Sequence, residues 1–327
     1  MLKLDNISKV YKVGTFGGKE LQAVSNVSFD INKGEVVSLI GESGSGKSTI
    51  GKMILRLTSI SSGAIMVDGV DISTLKKGEL RGYYRKVQGV FQDPFSSYNP
   101  IFKADRVFSI LRDELFPEVN GSEWQDRVNK SLEAVGLNPD IVLNKYPHQL
   151  SGGQLQRLLI ARALLLDINL LVADELISML DASTRIDVLN LLADLKSRGL
   201  SVLFITHDLS LGYYISEKAV ILYRGCVAEM GATEKLFGNP LHPYTKMLLN
   251  SVPRLDKKWE AEAVELETEA QAKQSEFTGG CVYYGRCPIA DKELGCDRCR
   301  PALLEVDCDH FVACFRYGDG FGGVATP

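Results

Sequence analysis

The sequence predicts an α/β protein built on an open sheet with parallel strands. Three observations carry that prediction. Short, β-rich apolar runs occur at 36–40, 170–173 and 202–206, the pattern of strands buried on both faces. Each run ends in a glycine or a polar residue, where an open α/β sheet places its ligand crevice. Between the runs lie helical patterns from Ser48 to Leu57, Leu155 to Leu166 and Thr184 to Ser197, the last stopped by Arg198-Gly199.

The run Val36 to Ile40 leads straight into Gly41-Glu42-Ser43-Gly44-Ser45-Gly46-Lys47-Ser48-Thr49, which matches the phosphate-loop pattern at every constrained position and opens a helix. Its glycines, Gly41, Gly44 and Gly46, let backbone amides wrap a phosphate, with Ser43 and Ser45 between them. Lys47 brings a point charge to the β- and γ-phosphates, Ser48 offers a hydroxyl to Mg²⁺, and Thr49 supports the α-phosphate side. Residues 82–140 read as a helical insertion with loops, marked by Pro94, Pro100, Pro117 and Pro139. Next come Leu150-Ser151-Gly152-Gly153-Gln154 and the helix from Leu155. A hydroxyl and bare glycine amides at a helix N-terminus form an anion site, although alone the same residues would serve as a flexible turn. The run Leu170 to Ala173 ends in Asp174-Glu175. Two acids at the end of a buried strand are costly unless a cation or donor waits for them. Asp174 is the expected Mg²⁺ holder through water, and Glu175 the general base that orients the attacking water.

Composition narrows the function classes. A chain of 327 residues can bury a full core and holds one large domain plus an appendage. With 37 basic against 41 acidic residues, a net charge of −4 and no dense Lys/Arg run, nothing points to nucleic acid as a partner. No apolar stretch is long enough to cross a bilayer. The start, Met1-Leu2-Lys3-Leu4-Asp5-Asn6, lacks a signal-peptide core. A cytosolic protein is therefore expected, with any membrane role arising through partners. Of seven cysteines only Cys226 precedes residue 280; the rest follow as C-x5-C-x8-C-x2-C-x8-C-x5-C from Cys281 to Cys314. Such a cluster in a reducing compartment favours metal over disulfides. Iron–sulfur, zinc and free thiols all remain open, and Cys296-Asp297-Arg298-Cys299 would also serve as half of a zinc knuckle.

The pairing of the phosphate loop with Leu-Ser-Gly-Gly-Gln resembles the ATP-binding-cassette (ABC) ATPases, in which that pentapeptide is the family signature. The resemblance implies a P-loop ABC ATPase domain with a mixed-sheet core, a β-rich subdomain and a helical subdomain. That domain is expected over 1–252, with the helical insertion at about 93–165, a charged linker at 253–276 and a Cys-rich extension at 277–327. It assigns His207, after the run Val202 to Thr206, as the switch histidine at the γ-phosphate. Gln92 becomes the glutamine that links metal and water to a transmembrane partner, and Tyr11 the aromatic stacked on adenine. Leu180-Asp181 falls in the loop that crosses a dimer seam. Ser151, Gly152, Gly153 and Gln154 would close the nucleotide site of a second ATPase subunit. The family usually places Pro-Thr-Ser-Ala-Leu-Asp after the two acids. Here Leu176-Ile177-Ser178-Met179-Leu180-Asp181 stands instead, which removes a φ constraint beside the base and leaves room for looser positioning of Glu175.

The tail narrows the branch. Asn239-Pro240-Leu241-His242-Pro243-Tyr244-Thr245, Arg286-Cys287-Pro288 and Val312-Ala313-Cys314 are similar to elements of the oligopeptide/dipeptide importer ATPases, some relatives of which carry oligosaccharides or nickel. The resemblance implies two permease subunits, an extracytoplasmic solute-binding protein, a second ATPase that is a paralogue, and a place at the cytoplasmic face of the membrane. It also matches Cys281, Cys287, Cys296 and Cys314 to a [4Fe–4S] ligand set, with Cys299 and Cys308 as alternatives and zinc as the competing metal. A soluble ABC protein acting on ribosomes or DNA usually has two cassettes or a long coiled-coil insertion, and this chain has neither. A degenerate, non-hydrolysing subunit is opposed by Lys47, Asp174, Glu175 and His207.

Overall fold

A computed structural model describes residues 1–13, 18–251 and 279–318; the charged stretch 253–276 lies outside them. The strands are β1 (Leu2–Val13), β2 (Lys19–Ile31), β3 (Val36–Ile40), β4 (Ser62–Val67), β5 (Val70–Asp71), β6 (Val87–Val90), β7 (Leu170–Asp174), β8 (Ser201–Thr206), β9 (Lys218–Tyr223), β10 (Cys226–Ala232), β11 (Leu304–Asp307) and β12 (His310–Val312). The helices are α1 (Lys47–Ile54), α2 (Leu80–Lys86), α3 (Arg106–Leu115), α4 (Gly121–Ala134), α5 (Pro139–Val142), α6 (Gly152–Leu164), α7 (Ala182–Ser197), α8 (Leu209–Ile215), α9 (Thr233–Gly238) and α10 (Pro243–Asn250).

The three strands expected from apolar runs are neighbours. The main sheet has the order β11-β12-β10-β9-β3-β8-β7-β6. Its β9-β3-β8-β7-β6 portion is parallel, and every residue of β3, β7 and β8 is buried. Burial on both faces is why these strands read as unbroken apolar runs rather than alternating ones. One expectation needs correction: β6, Val87-Gln88-Gly89-Val90, falls inside the stretch read as a helical insertion. Four residues interrupted by Gln and Gly show no period of their own. Their strand geometry comes from pairing with β7, where Val87 faces Leu170 and Val90 faces Ala173.

A second, antiparallel sheet has the order β2-β1-β4-β5. Helix α1 lies between the two sheets. Its Ile50, Met53 and Ile54 enter one core with Leu4, Val24 and Ile65 of the small sheet and Val172 and Ile205 of the large one. The phosphate loop at the start of α1 is thereby fixed from both sides. Helices α3 to α6 form a separate helical layer, in which Trp124, Val128 and Leu132 of α4 pack with Leu155, Leu158 and Leu159 of α6. Asn120 caps α4 by accepting from the N–H of Glu123 at 2.9 Å.

The tail joins the main sheet: β12 pairs antiparallel with β10, Met230 opposite Phe311, and β11 lies outside it. Glu229 of β10 is fully buried. It accepts from the N–H groups of Leu241 at 2.8 Å and His242 at 2.9 Å, and lies 2.7 Å from Nε2 of His310. A buried carboxylate is expensive without such partners, so this node fastens both the entry to α10 and the strand β12 to the core. Among the described residues no helix is long and apolar enough to cross a membrane.

Candidate functional site

The phosphate loop leaves the C-terminal end of β3. A Cβ on Gly41 would stand 2.1 Å from the Leu222 carbonyl oxygen and 2.8 Å from Ser45 Oγ. Gly46 has φ +103°, and a Cβ there would lie 2.5 Å from the Ala23 carbonyl oxygen. Both positions therefore admit only glycine. Lys47 Nζ donates to the carbonyls of Gly41 at 2.7 Å and Glu42 at 2.9 Å. Burial lowers its pKa, while Glu175, Asp174 and Glu42 pull in the opposite direction. Its charge is thus already set among acids at the sheet edge. The hydroxyl of Ser45 is buried without a hydrogen-bond partner among the described residues, a costly state that a bound oxyanion would relieve. Ser43 and Ser48 are exposed and Thr49 is half-buried along the same turn.

Asp174 ends β7, and its Oδ1 accepts from Ser48 Oγ at 3.1 Å. Burial raises its pKa and the Ser48 hydrogen bond opposes that rise. Two oxygen donors from adjacent elements suit a hard cation such as Mg²⁺. Glu175 sits at φ +49°, a left-handed conformation uncommon outside glycine. Its N–H donates to the Ile205 carbonyl at 2.9 Å, and its Oε1 lies 3.2 Å from Nδ1 of His207. Two of the three predicted catalytic side chains, one residue beyond β7 and β8 respectively, therefore meet.

The turn after Glu175 is held without proline. Leu176 and Ile177 are 1% and 2% exposed. The N–H and hydroxyl of Ser178 donate to the Glu175 carbonyl at 3.1 and 3.0 Å. Arg185 donates to the carbonyls of Leu180 and Ser178 at 2.8 and 3.1 Å. Burial and hydrogen bonds fix what the ring would otherwise restrict. Asp181 caps α7, its Oδ1 accepting from the Thr184 N–H at 3.0 Å.

Gln92 is exposed two residues beyond β6. Because Val90 pairs with Ala173, the chain carries Gln92 out at the edge that presents Asp174 and Glu175. Tyr11 is half-buried on β1 opposite Leu21, with Lys9 Nζ 5.0 Å from its ring centroid. It flanks the loop, since Ala23, two residues along β2 from Leu21, is the residue whose carbonyl abuts Gly46.

Ser151, Gly152, Gly153 and Gln154 lie elsewhere. Ser151 caps α6: its Oγ accepts from the Gln154 N–H at 3.2 Å, and Gln154 Oε1 accepts from the Ser151 N–H at 2.9 Å. The helix begins at Gly152, three residues before the predicted start, because this reciprocal cap draws both glycines into the first turn. A Cβ on Gly153 would meet Thr184 Cγ2 at 2.6 Å, so the segment rests on the start of α7. Among the described residues its hydrogen bonds are internal, and none reaches the phosphate loop.

In the tail, Cys281, Cys287, Cys296 and Cys314 line one small cavity with His242 and Tyr283, while Cys299 and Cys308 are exposed. Burial, with the other three thiols adding to it, pushes the pKa of Cys281 up to about 11. Among the described residues no group of three or more His, Cys, Asp or Glu side chains is arranged to hold a metal ion. The four thiols share a cavity without converging on one point.

Three residues at the loop carry no signal in the chain pattern. Glu42 occupies an unconstrained position of the phosphate loop. Its N–H donates to Tyr244 Oη at 3.0 Å, and its carboxylate accepts from Arg286 Nη1 at 2.9 and 3.0 Å. Tyr244 and Arg286 stood out in the sequence only as marks of the tail.

Comparison with known proteins agrees with this geometry. The family model described as ABC transporter matches residues 24–178, and that for the oligopeptide/dipeptide transporter C-terminal region matches 228–296. A Brucella ovis protein, provisionally named a peptide import ATP-binding protein, is 42% identical over 325 residues, covering 97% of this chain and 98% of its own. The oligopeptide transport ATP-binding protein AppF of Bacillus subtilis is 40% identical over 328 residues, covering 97% of each. The dimeric ATP-binding cassette MJ0796, in a post-hydrolysis state bound to ADP and Pi, superposes with TM-score 0.64 at 32% identity, covering 71% of this chain and 99% of that one. A phosphate loop, paired acids, a histidine on the base and a separate capped signature helix thus come with near full-length relatives: the chain belongs to the ATP-binding proteins of ABC transporters, in the oligopeptide/dipeptide branch.

Proposed function

We propose that this chain is the ATP-hydrolysing subunit of an importer of di- and oligopeptides. It works as one of two cassettes at the cytoplasmic face of the membrane, beneath two permease subunits supplied by an extracytoplasmic solute-binding protein. One observation carries the reading: the phosphate loop, Asp174, Glu175 and His207 gather at the C-terminal ends of β3, β7 and β8, while the signature residues at the start of α6 bond among themselves and not to that loop. Each chain then offers two half-sites, and a second ATPase, which we take to be a paralogue, completes both. The dimeric cassette MJ0796 and the names of the peptide-transport relatives support it.

The roles follow from placement. Tyr11 offers a flat face to adenine. The amides of Gly41, Ser43, Gly44, Ser45 and Gly46, with Lys47 and Thr49, hold the phosphates. Ser48, Asp174 and Gln92 are the residues to hold Mg²⁺, which when bound neutralises charge on the β- and γ-phosphate oxygens. Glu175 takes the proton of the attacking water, and His207, 3.2 Å from its carboxylate, orients that base and reaches the γ-phosphate. Ser151, Gly152, Gly153 and Gln154 of one subunit close on the γ-phosphate held by the other. ATP contacts both halves only in the closed pair, so binding drives closure and hydrolysis releases it.

For the tail we propose a structural [4Fe–4S] cluster on Cys281, Cys287, Cys296 and Cys314, with zinc as the alternative. Four thiols lining one cavity support it; ligation requires them to rearrange, since no three of them now form a ligand set. Reconstitution with the permeases into vesicles, assayed for ATP-dependent uptake of peptides and oligosaccharides, tests the importer reading. Uptake of sugars but not peptides would overturn the solute. Iron and sulfide analysis of anaerobically purified protein tests the cluster, and zinc without iron would remove it.

A further inference from the structure

Glu42 is gripped from three directions. Its carbonyl accepts from Lys47 Nζ at 2.9 Å, its N–H donates to Tyr244 Oη at 3.0 Å, and both carboxylate oxygens accept from Arg286 Nη1 at 2.9 and 3.0 Å. Two of these three contacts come from beyond residue 240. Tyr244 is fully buried and Tyr283 nearly so. With Tyr223 they form a ring cluster at centroid distances of 4.6, 5.1 and 5.5 Å. The Arg286 guanidinium lies 5.9 Å from the ring centroids of both Tyr223 and Tyr283. Tyr223 follows Leu222, whose carbonyl backs Gly41, so the cluster forms the floor beneath the phosphate loop.

We infer that Tyr244 and Arg286 are positioning residues for ATP binding: the tail sets the shape of the phosphate loop by holding Glu42. The inference rests on the nucleotide reading above. Arg286 and Glu42 keep 26% and 40% of their side-chain surface exposed, so the pair adds little to global stability. Its effect lies in where it holds the loop. Glu42 fixes the carbonyl that shares Lys47, and a displaced Glu42 shifts the ammonium away from the β- and γ-phosphates. Because the loop binds phosphates in the ground state and the transition state alike, the loss falls on affinity and leaves turnover nearly unchanged.

The test uses the full chain, with titration by ATP and Mg²⁺ and with steady-state hydrolysis in the assembled transporter. Arg286→Ala is expected to raise the Kd and KM for ATP about three- to tenfold with kcat within about twofold and an unshifted melting curve. Arg286→Lys should recover part of the loss. Glu42→Gln should reproduce it, and Arg286→Ala combined with Glu42→Gln should bind no worse than either alone, since both remove one contact. Glu42→Gln also examines the contact if Arg286→Ala does not fold. Unchanged ATP affinity in both single variants, or losses that add, would overturn the inference. Lys47→Ala serves as the control, since ATP binding that survives it would instead sink the nucleotide site itself.

Discussion

At the phosphate loop the ligand's shape is already present in the main chain. Gly41 and Gly46 stand where a Cβ would collide with carbonyls of neighbouring strands, Lys47 Nζ donates to the Gly41 carbonyl, and Ser48 Oγ donates to Asp174 Oδ1. In the cysteine pocket, turns and the segment after β12 bring four thiols to one cavity, yet no three of them are set as ligands. The first is preorganised by backbone on two sheets, whereas the second brings only side chains together. Preorganisation of that kind keeps the reorganisation cost of binding low. On the proposed cluster reading, a thiol site lacking it would gain its geometry from the metal, as in metal-coupled folding.

The largest effect that sharpens this contrast is at the base. Glu175→Gln should lower phosphate release by about 10²- to 10⁴-fold while ATP titration still shows binding; undiminished hydrolysis would remove Glu175 from its role. Next is the backbone. Gly46→Ala forces a side chain into φ +103° against the Ala23 carbonyl, and denaturant melts should show a loss of about 1–3 kcal/mol together with weakened ATP binding. Wild-type affinity in that variant would mean the loop is softer than its glycines imply.

Smaller effects separate the half-sites. Ser151→Ala removes the cap of α6, worth about 1 kcal/mol. In a mixed dimer in which only the partner's site is intact, it should impair hydrolysis there while nucleotide binding at the chain's own loop is retained. Loss of binding at its own loop would refute the separation of the signature from that loop. Smallest of all, Cys299→Ser and Cys308→Ser should leave metal content and ATP affinity unchanged, because both thiols are exposed away from the cavity. Metal lost from either would transfer the ligand set to them.

Legibility in the sequence followed the range of the interactions. The strands β3, β7 and β8 were readable because two-sided burial writes itself into consecutive residues, and the phosphate loop because its glycines are demanded locally. The stop of helix α7 at Arg198-Gly199 was readable from the glycine, while its first residues from Ala182 and their cap by Asp181 were not. Strand β6 was not, since Val87 to Val90 is a strand only by virtue of β7. Leu176, where the family usually has proline, carried no hint of its burial, which depends on the helical layer around it.

By itself, then, the sequence determined the family, the glycine-rich loop after β3, the paired acids and the existence of a separate signature helix, because each is encoded within a few adjacent residues by backbone conformation, capping or charge. Only the tertiary structure decided that His207 meets Glu175, that four of six clustered cysteines share a cavity, and that Arg286 and Tyr244 hold Glu42 across more than 200 residues of chain. Contacts at such separation depend on how sheets and tail pack together, and no local pattern of residue types records that packing.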